Sequence, residues 1–181
     1  VGTIFSNRIF CIPDYQRGYA WEQQQCQDVI EDLELLGKNQ EHFMGLLILL
    51  PHTGSSSKVL SEKGLSLNVY DVVDGQQRLT TAVLFLDAIR REMAQFEPLR
   101  TLASGLEETF LAVCDMNGQQ RLKLRLNRDT HAFFHDVALE RGKDIGGPTI
   151  RSHHLLLAAK AYFAEYLQHK RREVDDYGEW L

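Results

Sequence analysis

Within the stretch from Leu67 to Met93 the hydrophobic pattern changes its period. The run "LNVYDVV", residues 67–73, is short, apolar and rich in valine, which reads as a strand. From Leu79 the apolar residues recur at helical spacing, through Ala82, Val83, Leu86, Ile89 and Met93, and Pro98 closes the run near Phe96. Only "DGQQR" separates the two. A strand that feeds a helix through an Asp-Gly turn needs a sheet with at least one helical layer against it, so the chain belongs to the α/β or α+β class.

The remaining elements fit that class. Ile9–Ile12 reads as a short strand ended by Pro13, and Trp21–Leu36 as a helix with Gly37 as its C-cap. "FMGLLILL", residues 43–50, is a continuous apolar run expected as a buried strand beside 67–73 in one sheet. Pro51–Ser66, with its Gly and Ser, is expected as a mobile surface loop between them. Leu102, Leu106, Phe110 and Val113 predict a helix. Leu122, Leu124 and Leu126 alternate with Lys123 and Arg125 as a half-buried strand. A capped helix over Asn127–Glu140, a break at Gly146–Pro148 and a long helix over Ser152–Val174 complete the chain. One domain of 181 residues is expected, a small mixed sheet surrounded by helices. Residues up to about 98 carry the sheet, and the part from about 99 to 181 is mainly helical.

Composition excludes several classes. With 44% apolar and 25% charged residues the chain can bury a core unaided, and its net charge of −5 does not advertise nucleic-acid binding over the whole surface. Cys11, Cys26 and Cys114 are odd in number and widely spaced, which indicates neither a disulfide framework nor a zinc site. The longest apolar run is too short to span a bilayer. No membrane partner is expected, and a reducing cytoplasm is the simplest location.

Two polar clusters carry the candidate chemistry. In "DGQQRLTT", Asp74–Thr81, the helix start offers unpaired N–H groups and Gly75 allows close backbone approach. Arg78 presents a fork that suits phosphate. Asp74 either caps the helix or holds a divalent metal or a water. Gln76 and Gln77 suit positioning a water or a base edge, and Thr80 and Thr81 a cap or a phosphate. The Walker pattern is absent. In "IPDYQRGYAW", Ile12–Trp21, the rings of Tyr15, Tyr19 and Trp21 surround Gln16 and Arg17, a set that serves either as core or to stack a base and hold a phosphate.

The two clusters, about fifty residues apart, together with "EDLE", "FMGLLIL", "LKLRLNRD" and "SHHLLLAAKAYFAEYL", resemble the N-terminal domain of GmrSD-type modification-dependent restriction proteins, over nearly the whole chain. The resemblance implies a ParB- and sulfiredoxin-like fold and a nucleotide-hydrolysing, DNA-modification-sensing module of a restriction or phage-defence system. It implies a nucleotide site at Asp74, Gly75, Gln76, Gln77 and Arg78, and a companion wall of Tyr15, Gln16, Arg17 and Tyr19. Arg17 and Arg78 are expected to hold phosphates in one cleft, with Thr80 and Thr81 beside them. Asp74 is expected to meet Mg²⁺ or a water, and Trp21 to join the base-contacting wall. A nucleoside triphosphate is the expected substrate and Mg²⁺ the expected cofactor. Modified DNA and an HNH-type nuclease domain or subunit are the expected partners; no nuclease constellation lies in these residues. A non-enzymatic DNA-binding or partner-binding module is the alternative.

Other groups are weaker. His131 and His135, spaced i, i+4, lack a third ligand for a metal. Arg121, Lys123, Arg125 and Arg128 form a basic stretch, either a solvated face or a phosphate-facing patch. Cys11 is expected to be buried rather than reactive.

Overall fold

A computed structural model describes residues 2–37, 40–53, 57–142 and 146–181. The central strand is β4 (Ser66–Asp74). It runs parallel to β1 (Arg8–Cys11), with Arg8 opposite Asn68 and Cys11 opposite Asp71. β1 in turn pairs in parallel with β7 (Leu124–Arg125). On the other edge of β4 lie β2 (Ile48–Pro51) and β3 (Lys58–Leu60), both antiparallel to it. They form one interrupted edge strand. Between them the His52 N–H donates to the Val69 carbonyl at 2.9 Å, and the Val69 N–H donates to the Ser57 carbonyl at 2.9 Å. The expected neighbours are thus paired, in a mixed sheet of α+β type.

Side-chain alternation along β4 and β1 gives the sheet two faces. Phe10 and Val72 point into the main core, where Leu79 and Val83 of α3 (Gln76–Met93) meet Leu156 and Phe163 of α6 (Arg151–Glu173). Ile9, Leu67 and Val69 point the other way, into a small second cluster with Cys11, Val59 and Val113. That second face lies beside a separate ribbon of β5 (Ala112–Cys114) and β6 (Gln120–Leu122).

Several expectations are corrected. "FMGLLILL" is a strand only from Ile48. It is an edge strand, with Ile48 and Leu50 exposed, because only β4 lies beside it. The segment Pro51–Ser66 contains β3, and its residues 54–56 fall outside the described ones. The first long helix, α2 (Gln23–Glu34), ends at Leu35 rather than Gly37. The helix expected through Val113 is α4 (Arg100–Leu106) followed by a π turn over Glu107–Leu111, after which the chain joins the ribbon. The helix expected over Asn127–Glu140 is α5 (Arg128–Phe133) and a second π turn, Phe134–Ala138. Two short terminal helices, α1 (Gly2–Phe5) and α7 (Tyr177–Trp180), had no expected counterpart.

The largest departure is Lys123. Its backbone bridges two layers: its N–H donates to the Leu111 carbonyl at 2.8 Å and its carbonyl accepts from the Phe10 N–H at 2.7 Å. The side chain is buried, and Nζ donates to the carbonyls of Thr109 at 2.8 Å and Phe5 at 3.3 Å. Burial pushes its ammonium below the usual lysine value. Lys123 therefore leaves the basic face expected with Arg121 and Arg125.

Candidate functional site

The two polar clusters meet at the junction of β4 and α3, and glutamine amides join them. Gln16 Nε2 donates to the Val73 carbonyl at 2.8 Å, and Gln76 Nε2 donates to Gln16 Oε1 at 3.2 Å. Gln77 Oε1 accepts from the Ala20 N–H at 2.8 Å while its Nε2 donates to the Gly18 carbonyl at 3.2 Å. From the other side, Asn127 Nδ2 donates to the Gln16 carbonyl at 2.8 Å. The segment Gln16–Ala20 has no regular secondary structure, so these side chains satisfy backbone groups that no ladder pairs. The interruption of the core by amides has a structural cause.

This geometry sorts the expected residues. Gln77 is buried with both amide atoms engaged. Thr80 and Thr81 are 2% and 1% exposed, on the core side of α3, which closes them to a phosphate. Tyr19 is also buried, and its hydroxyl bonds to Thr81 Oγ1 at 2.8 Å, so it is not open for stacking on a base. Trp21 is half-buried and packs against the core. Asp74, Tyr15 and Arg17 are exposed, Tyr15 by 75%. The side chain of Arg17 has no hydrogen bond or ion pair among the described residues. Gln76 is half-buried, and its Oε1 accepts nothing among the described residues.

The start of α3 is partly covered. Gly75 is its N-cap at φ 92°, a left-handed conformation that glycine adopts without strain. A Cβ at this position would meet Leu47 Cδ1 at 2.8 Å and the Leu46 carbonyl oxygen at 3.2 Å. Arg78 donates to that same Leu46 carbonyl and lies 3.6 Å from Asp74 Oδ2. Asp74 therefore precedes the cap rather than forming it. Arg78 also lines a cleft with Trp21, Asp28, Asp32, His42 and Phe43, and Arg17 does not line it. The motifs converge through Gln16, Gln76 and Gln77.

Asn127 is the site residue that sequence reasoning missed. Its available signal was "LNRD", a polar residue directly after a strand, but its partner Gln16 lies 111 positions away.

Tyr19 supplies a pH test of the joint. Burial, chiefly, pushes its phenol far above the ordinary value. Tyr166 is raised too, and Tyr177 is pushed up to about 12. A group whose folded value is raised stabilises the fold fully below its unfolded value, roughly pH 10, and loses that contribution as pH rises further. The melting temperature should fall above about pH 10, and less steeply in Tyr19→Phe. A melting series from pH 8 to pH 12 checks this (roughly the span of free and buried phenols).

As to metals, no group of three or more His, Cys, Asp or Glu side chains among the described residues could hold an ion. Asp74 alone does not make a resident site. A single carboxylate suits Mg²⁺ that arrives already bound to a polyphosphate, since that ion keeps waters and phosphate oxygens as its main ligands. Cys11 is half-buried and its thiol is raised by burial, which agrees with an unreactive side chain. Among the described residues no helix is long and apolar enough to cross a membrane.

No curated protein matches the chain. The family described as GmrSD restriction endonuclease, N-terminal domain, matches residues 1–177, which takes in both polar clusters, the whole sheet and α6. The chain thus belongs to the family of GmrSD restriction endonuclease N-terminal domains, components of restriction systems.

Proposed function

We propose that the chain binds a Mg²⁺-bound nucleoside triphosphate at the β4–α3 junction and hydrolyses it, as the sensing half of a phage-defence restriction system. The observation that carries this reading is the interlock itself. It fixes the segment Gln16–Ala20 against the start of α3, so that two exposed charged residues, Arg17 and Asp74, each flank the joint in sequence. Arg17 is exposed and unpaired among the described residues, ready to take a phosphate. Arg78 would exchange the Leu46 carbonyl for a phosphate oxygen, which also uncovers the N–H groups behind Gly75. Gln76 holds its free Oε1 toward solvent as an acceptor for the attacking water. Asp74 would hold the substrate's Mg²⁺ or orient that same water. Catalysis here is positioning and charge stabilisation. Tyr15, exposed beside Arg17, offers a stacking face for a base of modified DNA. Cleavage belongs to an HNH-type nuclease domain or subunit as partner.

A second reading is favoured by the cover that Leu46 and Leu47 place over Gly75. In it the same rim reads DNA without turnover. Phosphate release from nucleoside triphosphates, with and without Mg²⁺ and DNA, separates the two. Turnover that requires Mg²⁺ and falls in Arg17→Ala supports the first. Salt-dependent DNA binding without phosphate release supports the second.

A further inference from the structure

The second face of the sheet carries an independent feature. A cavity of about 560 Å³ opens there, floored by Ile9 and Val69 and rimmed by His52, Lys58, Arg121, Arg125, His131 and His135. Three lysine or arginine side chains line it against one carboxylate, Asp115, and Asp115 is already held by Arg121 at 2.8 Å. His52 is likewise held by Asp71 at 2.8 Å, and His135 by Asp136.

The rest of the rim, Lys58, Arg125 and His131, makes no side-chain hydrogen bond or ion pair among the described residues, although Arg125 also acts at longer range on the Asp14 carboxylate. Among the described residues, four lysine and arginine side chains have neither a hydrogen bond nor an ion pair: Arg17, Lys58, Arg125 and Arg172. Two of the four, Lys58 and Arg125, line this cavity. In a chain of net charge −5 that concentration is not a general excess of base. Arg125 is also fixed at its root. It ends β7, it sits opposite Cys11 in the β1–β7 register, and its carbonyl accepts from the Ile12 N–H at 2.8 Å. His131 adds a donor. Its Nδ1 is buried without a partner, and its Nε2 has none either among the described residues. Nε2 is not buried, so it is the nitrogen left to meet a ligand, as a donor in the tautomer protonated there. Burial, then Arg125 and His135, hold the imidazole below its ordinary value against the pull of Asp136, so the ring waits neutral.

We propose that this cavity is a second anion site, in which Arg125, Lys58 and His131 Nε2 take a phosphate group, separate from the β4–α3 junction. An apolar floor under a cationic rim suits a phosphate carried on an organic body. The phosphate comes either from a free nucleotide or from a DNA backbone. The site does not depend on nucleotide turnover at the junction.

Histidine ring resonances, followed by NMR on the chain, test it. Titration with inorganic pyrophosphate should move those of His131 and His135 saturably. Arg125→Ser should weaken that binding about tenfold, the loss of a charge-assisted contact. Arg17→Ala should leave it unchanged. Arg125 has no side-chain partner among the described residues, so its variant should melt like the parent; Lys58→Ser, at another exposed position, gives a second measure. A short duplex that moves the same resonances and competes with pyrophosphate assigns the phosphate to DNA. A nucleoside monophosphate that does so while the duplex does not assigns it to a free nucleotide. Resonances unmoved by all three probes, or an affinity indifferent to both Arg125→Ser and Lys58→Ser, would overturn the site.

Discussion

Asp74→Ala should abolish nucleotide turnover, by about a hundredfold or more, while leaving the melting temperature nearly unchanged. Both halves of that expectation rest on position. Asp74 ends β4, its side chain is 64% exposed, and Gly75 rather than Asp74 caps α3. The bland role of a helix cap, worth about 1 kcal/mol, is therefore not open to it. What remains structurally is a pair, exposed on the Asp74 side, with the half-buried Arg78 at 3.6 Å, of a kind that contributes on the order of 0–1 kcal/mol. A carboxylate that does so little for the fold, beside a helix start and the half-buried Arg78, can lose activity without losing structure. Phosphate release and melting should be measured on one preparation. Turnover that survives Asp74→Ala would retire the catalytic role. A melting point that drops by many degrees would show that the structural account of this residue is wrong.

The junction itself was legible because it is local. A change of hydrophobic period within a few residues announces a strand feeding a helix, and Asp-Gly announces the turn. The pairing of β2 with β4 was legible for a similar reason, two apolar runs with a polar link. The roles of the amides were not. Gln77 reads as a ligand-facing residue until its partners appear, and those partners, Gly18 and Ala20, lie 59 and 57 positions away. Lys123 fails in the same way. Alternation places it on a solvated face, but the chain there passes from the ribbon to the sheet, so Leu122, Lys123 and Leu124 are all buried in succession. Its cost is met by carbonyls of Phe5 and Thr109, which no period in the sequence connects to it. The π turns at Glu107–Leu111 and Phe134–Ala138 are likewise decided by where the helices must end, against the ribbon and below α6, rather than by local propensity.

Asp87→Ala should cost about 3 kcal/mol of stability, the largest loss expected of any single charged residue here. Asp87 lies on α3 and is 3% exposed. Its Oδ1 accepts from Arg90 Nε at 3.1 Å and Nη2 at 3.0 Å, and its Oδ2 accepts from Arg91 Nε at 2.7 Å. Arg141 Nη2 stands 3.6 Å away, on a side chain only 8% exposed. The arginines reach outward in turn. Arg91 Nη2 donates to the Leu139 carbonyl at 2.8 Å, and Arg141 pairs with Glu107. Asp87 thus ties α3 to both π-turn segments. Removing it leaves three guanidinium groups with two carboxylates, Arg90 and Arg141 on Glu107 and Arg91 on Glu140, around a buried position where water replaces the lost partner poorly. Breaking such a pair from one side costs far more than the intact pair contributes. For a domain of this size the loss corresponds to a melting temperature lower by roughly 6–12 °C. Because Asp87 and Arg141 at the centre of the network are buried, raising the salt concentration should change that difference little, whereas it should erase any small effect of Asp74→Ala. Asp87→Asn keeps the shape and removes the charge, so it separates packing from electrostatics. A fall close to that of Asp87→Ala assigns the loss to charge. If Asp87→Ala melts with the parent, the arginines are neutralised by Glu107 and Glu140 alone, and Asp87 is not the centre of the network.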